Sequence, residues 1–193
     1  MKVEMLTGSA LSDALDDIAC LRIAVFRDWP YLYQGTMEYE RTYLQAYEIS
    51  EKAIALAVYD GDWLIGASTG APLSEHAENF AEAFDGTPFD IDTIFYCGES
   101  VLLPRYRGRG IGHQFFDARE DYARGMGFEK VCFAGVVRPP DHPLKPPAYR
   151  ALEPFWKKRG YARLPGVVAH FKWQDVDQTA ETAKPLQMWM RDL

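Results

Sequence analysis

The stretch LPRYRGRGIGHQFF, residues 103–116, joins an apolar run to a segment with helical periodicity. It alternates three arginines with three glycines: Arg105, Arg107, Gly108, Arg109, Gly110 and Gly112. The N–H groups at a helix N-terminus have no intrahelical acceptor and carry partial positive charge, so they bind phosphate well. Glycine lets a phosphate approach those amides because it has no Cβ, and arginine adds a matching charge. We therefore predict that this loop binds a pyrophosphate or phosphate ligand.

The spacing in this loop differs from two common phosphate motifs. It is not GxxxxGK[ST], because no Lys-Ser/Thr pair follows the glycines, and it is not GxGxxG, because Gly112 comes one residue early. A nucleotide-binding protein of either type is therefore disfavoured. On the chemistry of the loop alone, a flexible solvated loop remains the alternative.

The pattern along the chain predicts a mixed α/β protein with antiparallel hairpins at both ends. Apolar runs and alternation predict strands at 2–7, 53–59, 63–70, 94–103, 130–137, 167–173 and 185–193. Helical periodicity predicts helices at 12–26, 38–47, 110–125 and 154–160, with a helical patch within 74–90. Gly98 inside its strand indicates a bulge or a close backbone approach. Arg22 interrupts the apolar stripe of the first helix, so we expect one cation to face a cleft.

Composition excludes several classes of protein. The 193 residues are 48% hydrophobic and 25% charged, and no apolar run is long enough to span a membrane. The net charge of −7 argues against a nucleic-acid binder. The three scattered cysteines, Cys20, Cys97 and Cys132, indicate reduced core thiols in a cytoplasmic protein, with no disulfide or metal site. The acidic N-terminus is not typical of a signal peptide.

The run VLLPRYRGRGIG, residues 101–112, resembles the signature of the GNAT superfamily of acyl-CoA-dependent N-acetyltransferases. In that signature an aliphatic–x–Pro–x–Tyr segment precedes Arg/Gln-x-x-Gly-x-Gly/Ala, and here the last part falls on Arg107, Gly110 and Gly112. The order of predicted elements is similar over nearly the whole chain. The resemblance implies a single domain, 1–193, with a central, mostly antiparallel, splayed sheet flanked by helices.

The resemblance also implies acetyl-CoA as cosubstrate, with no metal. The pyrophosphate of coenzyme A would lie on the amides of the glycine–arginine loop, and the pantetheine arm would run beside the preceding strand. The residues that would hold coenzyme A are Val101, Leu102, Leu103, Arg107, Gly108, Arg109, Gly110, Ile111 and Gly112. The splayed strands of the family open where the central strand bulges, which fits Gly98.

Acetyl transfer to an amine needs a base, because a lysine-like amine is almost fully protonated at neutral pH. Glu99 is the leading candidate, since the family often places a carboxylate near the bulge. The register of the bulge decides whether Glu99 or a neighbour faces the cleft. Asp141 and His142, in the proline-rich loop 138–150, are the second candidates.

The expected general acid is missing from its usual position. Family members carry a tyrosine where alignment on Phe155–Tyr161 places Trp156, and an indole cannot act as the acid. Tyr149 lies seven residues earlier, so a continuous helix would put both side chains on one face. Our hypothesis is that Tyr149 replaces the missing acid. A non-catalytic acyl-CoA-binding sensor or scaffold is the alternative function.

The acceptor is expected to be an amine of a small molecule or peptide. By the resemblance, two regions would line its site: the first two helices, with Arg22, Arg27, Trp29, Tyr31 and Tyr33, and the loop from Arg138 to Lys145, unless the aromatic residues are core. The arginines suggest an acceptor with a carboxylate, such as an amino acid. A homodimer that pairs through the apolar strand PLQMWM, residues 185–190, is a further expectation, with a core strand as the simpler alternative.

Overall fold

The computed structural model describes residues 1–76 and 78–193, and only the backbone of Glu78. Its strands are β1 (Lys2–Leu6), β2 (Ile54–Asp60), β3 (Trp63–Pro72), β4 (Ile94–Leu102), β5 (Lys130–Val136), β6 (Ala162–Gln174) and β7 (Glu181–Asp192). Its helices are α1 (Gly8–Phe26), α2 (Met37–Ile49), α3 (Glu78–Glu82), α4 (Ile111–Gly125) and α5 (Glu153–Lys158). No helix within the described ranges is long and apolar enough to cross a membrane.

All seven strands form one sheet in the order β1-β2-β3-β4-β5-β7-β6. Only β4 and β5 are parallel; every other neighbouring pair is antiparallel. The mixed α/β fold with a mostly antiparallel sheet is therefore confirmed. Because β7 is paired on both sides, by β5 and β6, it is an interior strand, and the expected pairing with a second copy through residues 185–190 is wrong.

Two apolar layers cover the two faces of the sheet. On one face α1 and α2 pack Leu11, Ile18 and Leu44 against a row of small residues that includes Ala55 and Ala57. On the other face α4 packs Ile111 and Phe115 against Leu56, Val58 and Ile65. The alternation of small and large side chains in β2 therefore positions both helix layers, since neighbouring residues of a strand face opposite sides.

The predicted elements agree with the structure except at some ends. Helix α1 begins at Gly8, four residues before the predicted start, and the last two strands are longer than predicted. Within the predicted helical patch at 74–90, helix α3 covers only Glu78–Glu82, and Ala77 lies outside the described residues. Cys97 and Cys132 are buried free thiols, whereas Cys20 is exposed, so the prediction of three core thiols is wrong at Cys20.

Candidate active site

The glycine–arginine loop presents a row of free backbone N–H groups. After a single 3₁₀ turn at Pro104–Tyr106, Gly108 and Gly110 have φ of +77° and +82°, which favours glycine, and α4 begins at Ile111. Among the described residues, the N–H groups from Gly108 to Gly112 have no hydrogen-bond acceptor. A Cβ built on Gly108, Gly110 or Gly112 meets no atom within 4 Å. The loop is therefore an open cradle that fits a phosphate group.

Tyr106 anchors this cradle to the sheet. Its ring is buried, and its hydroxyl donates to Asp60 Oδ2 at 2.7 Å. The guanidinium groups of Arg105 and Arg109 lie over that ring at 4.8 and 5.4 Å from its centroid. Both arginines and Arg107 are exposed at the mouth of the cradle, which surrounds it with positive charge.

A bulge and a splay open the sheet beside the cradle. Ser68 of β3 pairs with Ser100, but Gly70 pairs with Cys97, so Gly98 and Glu99 together face Thr69. The parallel pairing of β4 with β5 involves only Ile94–Tyr96 and ends before the bulge. From Cys97 to Leu102, β4 is therefore paired with β3 alone. The predicted bulge at Gly98 and the splay beside it are both confirmed.

Close packing at Gly98 explains why this strand position is a glycine. A Cβ there would lie 2.1 Å from Tyr47 Oη and 2.5 Å from Thr69 Oγ1. Tyr47 is buried, and its hydroxyl lies 2.7 Å from Nε2 of His76. Tyr47 thus holds the bulge from the helix side, and only glycine leaves room for it.

Arg119 of α4 holds the other side of the bulge. Its side chain is 1% exposed, and its Nη1 donates to the carbonyls of Glu99 and Thr69 at 3.0 and 3.2 Å. Its Nη2 donates to Ser100 Oγ at 2.8 Å. Carbonyls that a bulge releases from ladder pairing need other donors when they are buried. Arg119 supplies these donors and fixes the backbone on which Glu99 sits.

Glu99 is buried in a cluster of three charged side chains. Arg22 Nη1 donates to Glu99 Oε2, and Arg22 Nε donates to Glu40 Oε2. Arg22, Glu40 and Glu99 are 6%, 0% and 5% exposed. Burial lowers the pKa of Arg22, but the two carboxylates outweigh it and hold that pKa well above its usual value. Glu99 Oε1 is buried without a hydrogen-bond partner in the described structure, so it is an acceptor that still needs a donor.

A pocket lies above Glu99, where β4 and β5 separate. The space between its walls, including the open solvent at its mouth, is about 540 Å³. Part of the wall is formed by Arg22, Gly98, Glu99, Ala134 and Leu186. The rest of the lining is aromatic: Phe26, Tyr31, Tyr33, Tyr39, Tyr43, Phe80, Tyr96, Phe171 and Trp173. Burial raises the pKa of Tyr31 to about 12, and it raises the pKa values of Tyr43 and Tyr96 as well. The hydroxyls of these three tyrosines are therefore protonated at neutral pH.

The predicted site residues divide into two groups. Glu99 lines the pocket, whereas His142 and Tyr149 lie outside its lining and pack against Trp29, with ring centroids 5.1 and 6.0 Å away. His142 Nδ1 accepts from the N–H of Leu144 at 3.2 Å. Tyr149 precedes α5, which begins only at Glu153, so the continuous helix assumed for Tyr149 is absent.

Trp156 packs against the apolar core, and only some of the predicted acceptor residues line the pocket. Trp156 packs edge-on against Phe133 and Trp189, close to Gly135 of β5. Of the predicted acceptor residues, Arg22, Tyr31 and Tyr33 line the pocket and Trp29 does not. Arg27 is exposed and donates to Gln34 Oε1 at 2.7 Å.

Sequence reasoning missed Glu40, Arg119 and Tyr47. Glu40 and Arg119 are charged residues on the buried faces of amphipathic helices, and this is the signal that would have found them. Tyr47 carries no such signal, because an aromatic residue on a helix face is ordinary core.

Comparisons with known proteins agree with this geometry. A sequence model of the acetyltransferase (GNAT) family matches residues 21–161, more than half of the chain. Curated protein sequences contain no match. Among solved structures, the chain is similar to an N-acetyltransferase from Staphylococcus aureus Mu50, with a TM-score of 0.59, 9% identity, and 100% and 99% of the two chains covered.

Two further solved structures cover the whole of both chains at 12% identity. One is a ribosomal-protein-alanine N-acetyltransferase from Brucella melitensis, with a TM-score of 0.56. The other is the PaiA N-acetyltransferase from Thermoplasma acidophilum in complex with coenzyme A, with a TM-score of 0.54. At this identity the likeness shows the fold, whereas the family model covers the signature loop and the bulged strand. The chain belongs to the acetyltransferase (GNAT) family, and it is an acyltransferase.

Proposed function

We propose that the protein is an N-acetyltransferase that moves an acetyl group from acetyl-CoA to a primary amine of a small molecule or peptide. The observation that carries this proposal is the open edge of β4. It leads from the phosphate cradle to the buried carboxylate of Glu99, over about 10 Å between Glu99 and Leu102. The strands of the single sheet are drawn from nearly the whole chain, from Lys2 to Asp192, which supports treating residues 1–193 as a single domain.

The residues beside this edge fit acetyl-CoA, which supplies an activated acetyl thioester when bound. The free N–H groups of the cradle, from Gly108 to Gly112, would hold its pyrophosphate, with Arg107 and Arg109 adding charge. The backbone of Val101, Leu102 and Leu103 would pair with its pantetheine arm, because β4 has no partner on the side of β5 after Tyr96.

Glu99 is the proposed general base. Glu99 lines the pocket, its Oε1 has no hydrogen-bond donor among the described residues, and the guanidinium of Arg22 orients the other oxygen. An amine bound there and the acetyl group would share one site, so attack would be direct, in a ternary complex. Backbone N–H groups at the bulge would stabilise the negative charge that develops on the carbonyl oxygen.

Tyr149 remains our proposed proton donor to the leaving thiolate. Burial raises its pKa, so the hydroxyl is protonated at neutral pH. Tyr31 lines the pocket and has the same protonation state, which makes it the second candidate for this role. His142 is the second candidate for the base, although it does not line the pocket.

Acetyl-CoA binding is tested by adding a carboxylate to the cradle. Gly112 is helical and has open space around it, so Gly112→Glu suits the first turn of α4 and leaves the melting temperature within about 2 °C. The new carboxylate would occupy the phosphate site and repel the pyrophosphate, so we expect at least a 100-fold loss of affinity for acetyl-CoA, measured by calorimetry. Gln114→Glu adds the same charge in the same turn without filling the cradle, and we expect at most a tenfold loss.

Thiol release in the presence of amines then separates binding from chemistry. Glu99→Gln should keep acetyl-CoA affinity and lower kcat by about 100-fold or more, because a general base contributes that much. Equal acetyl-CoA affinity in the wild type and Gly112→Glu would refute the assignment of the cradle. Tight acetyl-CoA binding without thiol release to any amine would favour the sensor or scaffold alternative.

A further inference from the structure

The wall of the pocket above Glu99 restricts the acceptor by charge. Arg22 and Glu99 are the charged side chains that line the pocket in the described structure, and Glu40 lies directly behind Arg22. Two carboxylates therefore share one guanidinium, so the cluster is negative overall when both are ionised. The tyrosines around it stay neutral, since burial raises their pKa values.

Of the cations expected to bind an acceptor's carboxylate, Arg22 and Arg138 are already paired with carboxylates, and Arg27 lies outside the lining of the pocket. Arg22 donates to Glu99 and Glu40, and Arg27 lies on the surface beside Gln34. Arg138, from the proline-rich loop, is bidentate to Asp175 and also donates to the carbonyl of Pro30. A carboxylate on the acceptor would become the third to share the charge of Arg22, in a buried site where an uncompensated charge is costly.

The remainder of the lining suits an apolar or aromatic body. Among the described residues, nine aromatic side chains line the pocket. Aromatic faces bind both flat apolar groups and ammonium groups. The free Oε1 of Glu99 would accept a hydrogen bond from the acceptor's nitrogen.

We propose that the acceptor is a primary amine on a small aromatic or apolar body that carries no carboxylate. This replaces the expectation of an amino acid, which assumed that the arginines were free. The proposal rests on the proposed function, because it names the substrate class of the same pocket. It follows from the two carboxylates that share the guanidinium of Arg22 and from the aromatic lining.

Matched acceptors test the role of charge on the wild-type enzyme. 2-Phenylethylamine and L-phenylalanine differ only in the carboxylate, and L-phenylalaninamide keeps the shape of the amino acid without its charge. We expect kcat/KM for 2-phenylethylamine to exceed that for L-phenylalanine by at least about 100-fold, with most of the loss recovered by the amide. A kcat/KM for L-phenylalanine equal to that for 2-phenylethylamine would overturn the proposal. A kcat/KM for L-phenylalaninamide as low as that for L-phenylalanine would overturn it too.

A pair of variants on α2 locates the charge that discriminates. Glu40→Gln removes one buried carboxylate but keeps an acceptor for Arg22, so the preference for the amine over the amino acid should narrow about tenfold. Glu38→Gln removes the same charge from an exposed position two residues away and should leave the preference unchanged. Equal preferences in the two variants would count against the buried cluster as the source of selectivity.

Calorimetry distinguishes failure of this proposal from failure of the proposed function. If acetyl-CoA binds but 2-phenylethylamine neither binds nor is acetylated, the acceptor class is wrong and the proposed function stands. If acetyl-CoA does not bind, the proposed function fails, and the affinities of the protein alone for the three acceptors still decide the charge preference. Tighter binding of 2-phenylethylamine and the amide than of L-phenylalanine would then support the proposed acceptor class, and the reverse order would overturn it.

Discussion

Substitution of Gly98 by alanine tests how the bulge is held. The new Cβ would lie 2.1 Å from Tyr47 Oη and 2.5 Å from Thr69 Oγ1, whereas ordinary contact begins at 3.4 Å. Tyr47 is a buried residue of α2, so relief requires a shift of roughly 1 Å in the strand or the helix. Overpacking of this kind costs about 1–3 kcal/mol, which lowers the melting temperature by roughly 3–10 °C in a protein of this size. We also expect kcat to fall about 100-fold, because Glu99 follows directly on the displaced residue.

A double-mutant cycle with Tyr47→Phe identifies the contact responsible. Tyr47→Phe removes the oxygen at 2.1 Å and leaves the ring carbon Cζ at 3.3 Å from the new Cβ. Alone it loses the contact with His76 and costs about 1 kcal/mol. The double variant should be less destabilised than the sum of the single variants by about 1 kcal/mol, measured by urea unfolding.

Gly125→Ala provides the matched control for this cycle. Gly125 ends α4 with open space around it, so alanine there should leave both stability and kcat at wild-type levels or slightly raise stability. Additive effects of Gly98→Ala and Tyr47→Phe would show that the close approach of Tyr47 does not hold the bulge. A Gly98→Ala variant with wild-type kcat would refute the link between the bulge and Glu99.

Two further predictions concern buried charged or titratable groups. Burial and the charge of Arg22 lower the pKa of His76 to about 3. Between pH 6.5 and 3 the unfolded state therefore binds a proton that the folded state does not, and the free energy of unfolding decreases as the pH is lowered. This group should cost about 2 kcal/mol between pH 7 and 5, measured by urea unfolding. His76→Gln should remove that dependence, whereas exposed His170→Gln should keep it. Arg119→Lys keeps the charge but loses the forked donors, so we expect kcat to fall at least tenfold with KM for acetyl-CoA within twofold. Ser100→Ala removes one acceptor of Arg119 and should lower kcat less. An unchanged kcat in Arg119→Lys would exclude a positioning role for Arg119.

Several features of the site follow from local signals along the chain. The glycines and arginines of residues 103–116 predict the cradle because phosphate chemistry demands small residues at a helix N-terminus. Gly98 predicts a bulge or a close approach of another group, because glycine weakens the interior of a strand and is kept where one of these requires it. Arg22 predicts a cation facing a cleft because it interrupts an apolar helical stripe. Each of these signals lies within a few residues of the feature that it predicts.

The partners of the charged groups could not be predicted in this way. Arg22 meets Glu99 across 77 positions of sequence, and Arg138 meets Asp175 across 37. The second contact, together with the bond from Arg138 to the carbonyl of Pro30, fixes the segment that carries Tyr31 into the pocket. Such pairings depend on which strands are neighbours and on the packing of α1 and α2, which leave no local trace.

The local order of residues thus specifies the cradle and the bulge, because the backbone conformations that they need are encoded by nearby glycines and by apolar periodicity. Glu99 is predicted from the family resemblance, and only the register of the bulge in the folded sheet decides that it faces the cleft. The acceptor pocket is different, because its lining comes from α1, α2 and α3, from the four strands β4 to β7 and from the segment between α1 and α2. Its charge depends on whether Arg22 is free or shared by two carboxylates. That question is settled when distant segments pack together and bury three charges that must satisfy one another.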